Sequence, residues 1–157
     1  MLCTRTNAAL VGVDVDLRLG SLPRALSAGP LDVVCPRSAL WAVGRHAGIE
    51  VIPTAAGPAA AWNGGDDGRQ VLDPLCNWAS EHLVAGGTML VVQSVLSGVK
   101  RSLASLPSAG FDADCVAGQG IPFGPVLSAR GPWLEHTGRL YPGCREEEIV
   151  VIRADKP

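Results

Sequence analysis

Three places in this chain of 157 residues put polar side chains at the end of an apolar or alternating run: Gly20-Ser21, Cys35-Pro36-Arg37 and Gln93-Ser94. Serine hydroxyls and glutamine amides both donate and accept hydrogen bonds, and a thiol does so weakly, so each end can hold a small polar ligand. Serines also bond local backbone groups in turns, and position alone leaves both roles open for Ser21 and Ser94. A second group is Trp62-Asn63-Gly64-Gly65 with Arg69 just beyond it. Here glycines allow close backbone approach, the tryptophan can border an entrance, and the guanidinium can meet an acidic group. The same glycines and aspartates also make a plain turn before a helix, where an arginine is ordinarily exposed. Trp62, Asn63 and Arg69 are the substrate-binding candidates, and no residue is named as catalytic.

Metal and disulfide chemistry are not signalled. The five cysteines stand at 3, 35, 76, 115 and 144 with no Cys-x-x-Cys pair, and His46, His82 and His136 are scattered. The cysteines are expected to be reduced and mostly buried.

The elements that must position these residues follow from periodicity. Val13 to Leu19 alternates apolar and polar residues, the pattern of a half-covered strand. Leu31 to Cys35 and Thr88 to Gln93 are continuous apolar runs, which suit strands covered on both faces. Between them Val71, Leu72, Leu75, Cys76, Ala79 and Leu83 recur at three and four residues, predicting a helix over about 70–84. Asp73-Pro74 is either its true start or a kink in a helix begun earlier. Short helices are expected at residues 40–43, over Val99 to Leu106 and from Pro132 to Thr137, with strands from Ala113 to Gln119 and Ile149 to Ile152. Ile121 to Pro125 cannot be a central strand, because its prolines lack ladder donors. Strands alternating with helices imply an α/β sheet with helices on both faces, whose ligands sit beyond the carboxyl ends of the parallel strands.

Length fits one domain, and 47% hydrophobic residues with mean hydropathy +0.23 supply a core. A net charge of -2 offers no basic field for duplex DNA. No apolar stretch approaches a membrane span, and Met1 to Val13 lacks the pattern of a secretion signal, so the chain reads as cytoplasmic.

Ala61-Trp62-Asn63-Gly64-Gly65-Asp66-Asp67-Gly68-Arg69, Val71-Leu72-Asp73, Ala85 to Leu90 and Gln93-Ser94 with Leu96-Ser97-Gly98 carry a resemblance, as do Ile121 to Leu127 and Arg145 to Arg153. Together they resemble the second half of the HemK-related methyltransferases, relatives of the release-factor glutamine methyltransferases, from about Ala61 to Asp155 with a weaker match over Asn7 to Cys35. The resemblance implies a partial Rossmann-like class I sheet with an antiparallel last strand, S-adenosylmethionine as cofactor and a glutamine side-chain amide of a protein as acceptor. It puts Gly20, Ser21, Cys35 and Pro36 at the cofactor. It also implies that the first two strands, the glycine-rich loop and the ribose-binding acid lie before the point where this chain begins.

Two departures accompany it. Gly20-Ser21 stands where the family has Gly-Asp, and Cys35-Pro36-Arg37-Ser38 replaces its Asn-Pro-Pro-Tyr signature. The signature's asparagine and aromatic ring hold the acceptor amide against the methyl group, and such positioning is a large part of catalysis. An alternative expectation is therefore a truncated or noncatalytic member, or a module whose open sheet edges pair with a partner chain or a second copy.

Overall fold

The structure is a computed structural model and describes residues 2–17, 30–36 and 63–157. Gly20, Ser21, Arg37, Trp62 and the helix expected at 40–43 fall outside the described residues.

Helix α1 (Leu2–Val11) is followed by strand β1 (Leu31–Val34), helix α2 (Leu72–His82) and strand β2 (Leu83–Ser94). A 3-10 turn, Val95–Ser97, leads into helix α3 (Val99–Ser108), strand β3 (Asp112–Pro122), helix α4 (Pro125–His136) and strand β4 (Glu146–Asp155). The four strands form one sheet in the order β1-β2-β4-β3. Strands β1 and β2 are parallel, whereas β4 lies antiparallel between β2 and β3. This is a mixed α/β sheet of partial Rossmann-like type, with the antiparallel last strand that the motifs imply.

Helix α2 forms where the three-and-four spacing puts it. Leu72, Leu75, Cys76 and Ala79 are buried and pack with Leu83, Met89 and Val91 of β2 and Val150, Ile152 and Ala154 of β4. Leu106 and Phe111, at the far end of α3, join the same cluster. Fully burying each large aliphatic side chain contributes roughly 1.5–3 kcal/mol, so this face holds the sheet to its helices. Asp73-Pro74 falls inside the first turn, and Val71 precedes the helix with no side-chain cap.

Strand β2 starts five residues before the expected Thr88. Its pairing with β1 jumps from Leu31 opposite Leu83 to Val33 opposite Thr88. Gly86 accommodates the excursion at φ +79°, and a Cβ on Gly87 would fall 2.9 Å from the Val84 carbonyl oxygen. Strand β3 runs to Pro122 on the sheet edge, the place where a proline's missing N–H costs no ladder bond. Helix α4 begins at Pro125, seven residues before the expected start at Pro132.

Val13 to Leu17, the described part of the first expected strand, has no regular structure, and Val13 and Val15 are exposed. Alternation describes a strand only when another strand accepts its backbone, and none of the described strands does so here. Residues 2–11 form a helix instead, which sequence periodicity did not announce. Among the described residues no helix is long and apolar enough to cross a membrane.

Candidate functional site

Sheet topology directs attention to the carboxyl end of β2. There the chain turns through Val95–Ser97, and Ser94 Oγ accepts a 3.3 Å hydrogen bond from the Leu96 N–H. Ser94 thus performs the local turn role open to it in the sequence. Gly98 follows at φ +77°, a left-handed conformation natural to glycine, and starts α3.

Arg69 fills the space beneath this turn. Only 3% of it is exposed, contrary to the exposed helix-start arginine that its position in the sequence suggests. One Nη1 donates to the Ser97 carbonyl and to Ser102 Oγ, each at 2.9 Å, and reaches the Gly98 carbonyl at 3.3 Å. Its Nε donates to Asp73 Oδ1 at 2.8 Å, one helical turn ahead. Ser102 Oγ in turn donates to Gln93 Oε1 at 2.8 Å. Six residues from the α2 start, the β2 end and the α3 start are tied together in this way. The buried Gln93 Nε2 has no hydrogen-bond partner among the described residues.

Above Arg69 opens a cleft of about 310 Å³. Its walls are Asp67 from the loop before α2, Val95 to Gly98 from the turn, Arg101 from α3 and Arg139 from the turn after α4. Arg101 is ion-paired to Asp67 at 2.8 Å and to Asp73 at 3.1 Å. Arg139 donates to the Asp66 carbonyl, and its guanidinium lies 5.3 Å from the centre of the Trp133 ring. Burial alone would raise the Asp67 carboxyl, but the Arg69 N–H and the Arg101 guanidinium outweigh it and hold the group below its ordinary value of 3.8. Burial pushes the neighbouring Cys76 thiol up to about 11; the Arg69 charge opposes that rise and Asp73 adds to it.

The other described candidates stand apart from this cleft. Val34 pairs with Met89, so Cys35 falls level with Leu90, four residues and about 13 Å short of Ser94 along the sheet. Cys35 is exposed and Pro36 half-buried. Asn63 Oδ1 accepts from the Gly65 N–H at 2.9 Å, and the Gln70 N–H closes the loop onto the Gly64 carbonyl at 2.9 Å. That loop hands the chain on to Arg69, which links Asn63 to the cleft by sequence and turn geometry. The sequence pattern assigns no site role to Arg101, Arg139, Ser97 or Ser102. The four-residue spacing of Arg69 and Asp73, an ion-pair spacing on a helix, was the available signal for the network. Among the described residues no three His, Cys, Asp or Glu side chains gather as a metal site.

Comparisons with known proteins agree with the motifs. The chain is 35% identical over 67 residues to a Methanocaldococcus jannaschii protein provisionally named a protein N5-glutamine methyltransferase, a match covering 43% of this chain and 34% of that protein. Its fold is similar to the crystal structure of precorrin-6y C5,15-methyltransferase from Geobacter metallireducens, with TM-score 0.50 and 14% identity over 97% of this chain and 60% of that one. The match thus spans about a third of the archaeal relative's length. No family model matches the chain. The resemblance to HemK-related methyltransferases read from the motifs stands on the sequence match, and the mixed sheet stands on the fold.

Proposed function

We propose, with the methyltransferase likeness as premise, that this chain serves S-adenosylmethionine-dependent methylation of a glutamine side-chain amide in a protein and forms the acceptor-side wall of the site. The observation that carries the reading is the 35% identity to the archaeal glutamine methyltransferase relative. The carboxyl end of β2, with its cleft, lies about 13 Å further along the sheet than Cys35 after β1, where the family carries its acceptor signature, and offers a polar surface to the acceptor protein.

The described residues do not by themselves fit the cofactor. Cys35 offers an exposed thiol, a weak donor, and Pro36 has no N–H. Neither carries the carboxylate that ribose hydroxyls require, and Gly20 and Ser21 lie outside the described residues. No step of methyl transfer is assigned to Cys35 or Pro36. What this chain's residues do on the proposal is orient the acceptor: Arg69 fixes the turn after β2, and that turn sets the cleft.

A second reading, a noncatalytic member that pairs with a partner, is favoured by exposed apolar groups on both outer strands. Val33 of β1 is 60% exposed and Val116 of β3 is 54% exposed. Exposed apolar side chains on the outer strands of the described sheet favour association.

Calorimetric titration with S-adenosylhomocysteine, beside a thermal melt of the same sample, separates the readings. Saturable binding by a chain that melts cooperatively, with contacts from residues outside the described ones, followed by labelled-methyl incorporation into a glutamine-bearing protein, is the expected result. A cooperative melt without binding overturns it and leaves the partner module, which sizing chromatography with light scattering then reads as a dimer or larger species.

A further inference from the structure

We propose that the cleft over Arg69 is a carboxylate-binding site, and that its ligand is an acidic side chain of the protein acceptor close to the residue to be methylated. The source of the carboxylate rests on the functional reading above. The site itself rests on the cleft.

The cleft collects three guanidiniums, Arg69, Arg101 and Arg139, against two carboxylates, Asp67 and Asp73. Three guanidiniums thus meet at one cleft, in a chain whose net charge is -2. Arg69 is buried and committed to the turn, whereas Arg101 and Arg139 are exposed at the mouth. A guanidinium has five N–H donors. Arg139 commits one to the Asp66 carbonyl, which leaves four, and Arg101 commits two to Asp67 and Asp73, which leaves three.

Both mouth arginines are also held in place before any ligand arrives. The two aspartates brace Arg101, and the Trp133 ring with the Asp66 carbonyl braces Arg139. Braced side chains lose less freedom on binding, and a planar guanidinium presents the fork that a carboxylate matches. Half-buried Val95 and Leu96 line the same space and can receive the aliphatic stem of an acidic side chain. At about 310 Å³ the cleft sits at the lower end of small-molecule sites and accommodates one side chain. Two exposed arginines cannot follow a phosphodiester backbone, where affinity comes from many neutralised phosphates.

The test is a titration of the whole isotope-labelled chain, followed by the arginine Nε–H resonances, with capped glutamate, capped glutamine and inorganic phosphate. Capped glutamate is expected to move the Arg101 and Arg139 signals saturably, with affinity on the order of millimolar for so small a probe. Capped glutamine is expected to leave them in place. Arg139→Gln should weaken glutamate binding at least tenfold, and Arg139→Lys should fall between, having charge without the fork. Because Arg139 is exposed, a thermal melt of both variants checks that the fold is kept. Equal responses to glutamate and glutamine, phosphate binding without carboxylate binding, or unchanged affinity in a folded Arg139→Gln would each overturn the proposal. Glutamate binding in a chain that fails to bind S-adenosylhomocysteine would refute the methyltransferase reading and leave the carboxylate site standing.

Discussion

Replacing Arg69 by alanine should cost this protein about 3 kcal/mol of stability. Two short bonds from the buried guanidinium, to the Ser97 carbonyl and to Ser102 Oγ, are lost together with the Asp73 pair. Hydrogen bonds to charged groups are worth about 1.5–3 kcal/mol each, which gives about 3–6 kcal/mol at face value. Two features bring the figure toward the lower end. Asp73 is 38% exposed and keeps Arg101, so its charge is not stranded, and the cleft admits water to the bared carbonyl. For a chain of this size the midpoint temperature should fall by about 6–12 °C. Urea unfolding followed by far-ultraviolet circular dichroism measures the loss, with an unchanged slope showing that the same cooperative unit unfolds. Arg69→Lys should lose about half as much, since an ammonium can reach Asp73 but cannot serve both the carbonyl and the hydroxyl. A loss below about 1 kcal/mol for Arg69→Ala would refute the idea that this side chain organises the turn, because it would put the network at the level of an exposed ion pair.

Three further outcomes follow from the same contacts. Cys76, with its thiol raised to about 11, should resist alkylation at pH 8 in the native chain while exposed Cys3, Cys35 and Cys115 react; its share of stability is whole below the ordinary thiol value of 9.0 and is lost as pH climbs through about 11, which a melt series over that range reads. The Asp67 carboxyl, held low chiefly by the Arg69 N–H and Arg101 against the opposing effect of burial, stabilises the fold above pH 3.8 and ceases to as pH drops through its folded value, so the small deficit of Asp67→Asn, under about 1 kcal/mol for so exposed a pair, should vanish in acid melts. Met89→Ala, at a fully buried position between α2 and β4, should cost about 2–5 kcal/mol by chemical denaturation, well above any substitution at exposed Val116.

How far the sequence disclosed this molecule depends on which force shapes each part. Helix α2 is readable because its apolar residues all answer to one buried face, and the strands through Thr88 and Ile149 because burial demands branched residues there. Leu31–Val34, by contrast, pairs with β2 although Asp32 and Val33 are exposed, not covered on both faces as its apolar run suggests. The start of β2 was not readable, since Gly86-Gly87 looks like an interruption and only the register against β1 reveals an excursion inside a continuing strand. Val13 to Leu17 has the alternation of a strand and no partner among the described strands to complete it. At the candidate site, Arg69 looked like a solvated helix-start residue because nothing local announces that Ser97 and Ser102, about thirty residues on, will close over it. Gln93 was marked as a strand end, yet its bond to Ser102 depends on how α3 folds back. Local periodicity carried the elements, and long-range polar pairing carried the site.

The position of β4 has a consequence for how the chain is made. Its backbone joins β2 on one side and β3 on the other, from Thr88 opposite Asp155 to Pro122 opposite Glu146. Although β4 comes after every other described element in chain order, it fills a gap between two strands synthesised earlier. During synthesis β2 and β3 must therefore wait as separate edges, with Met89 and Val91 lacking Ile152 and Ala154 across from them. Closure of the sheet is nonlocal and slow by its topology, and the waiting chain exposes apolar strands to other chains. Insertion of β4 from the carboxyl side closes the described sheet, so a nascent chain halted before Glu146 would be in greater need of chaperone protection than one carrying β4 through Asp155.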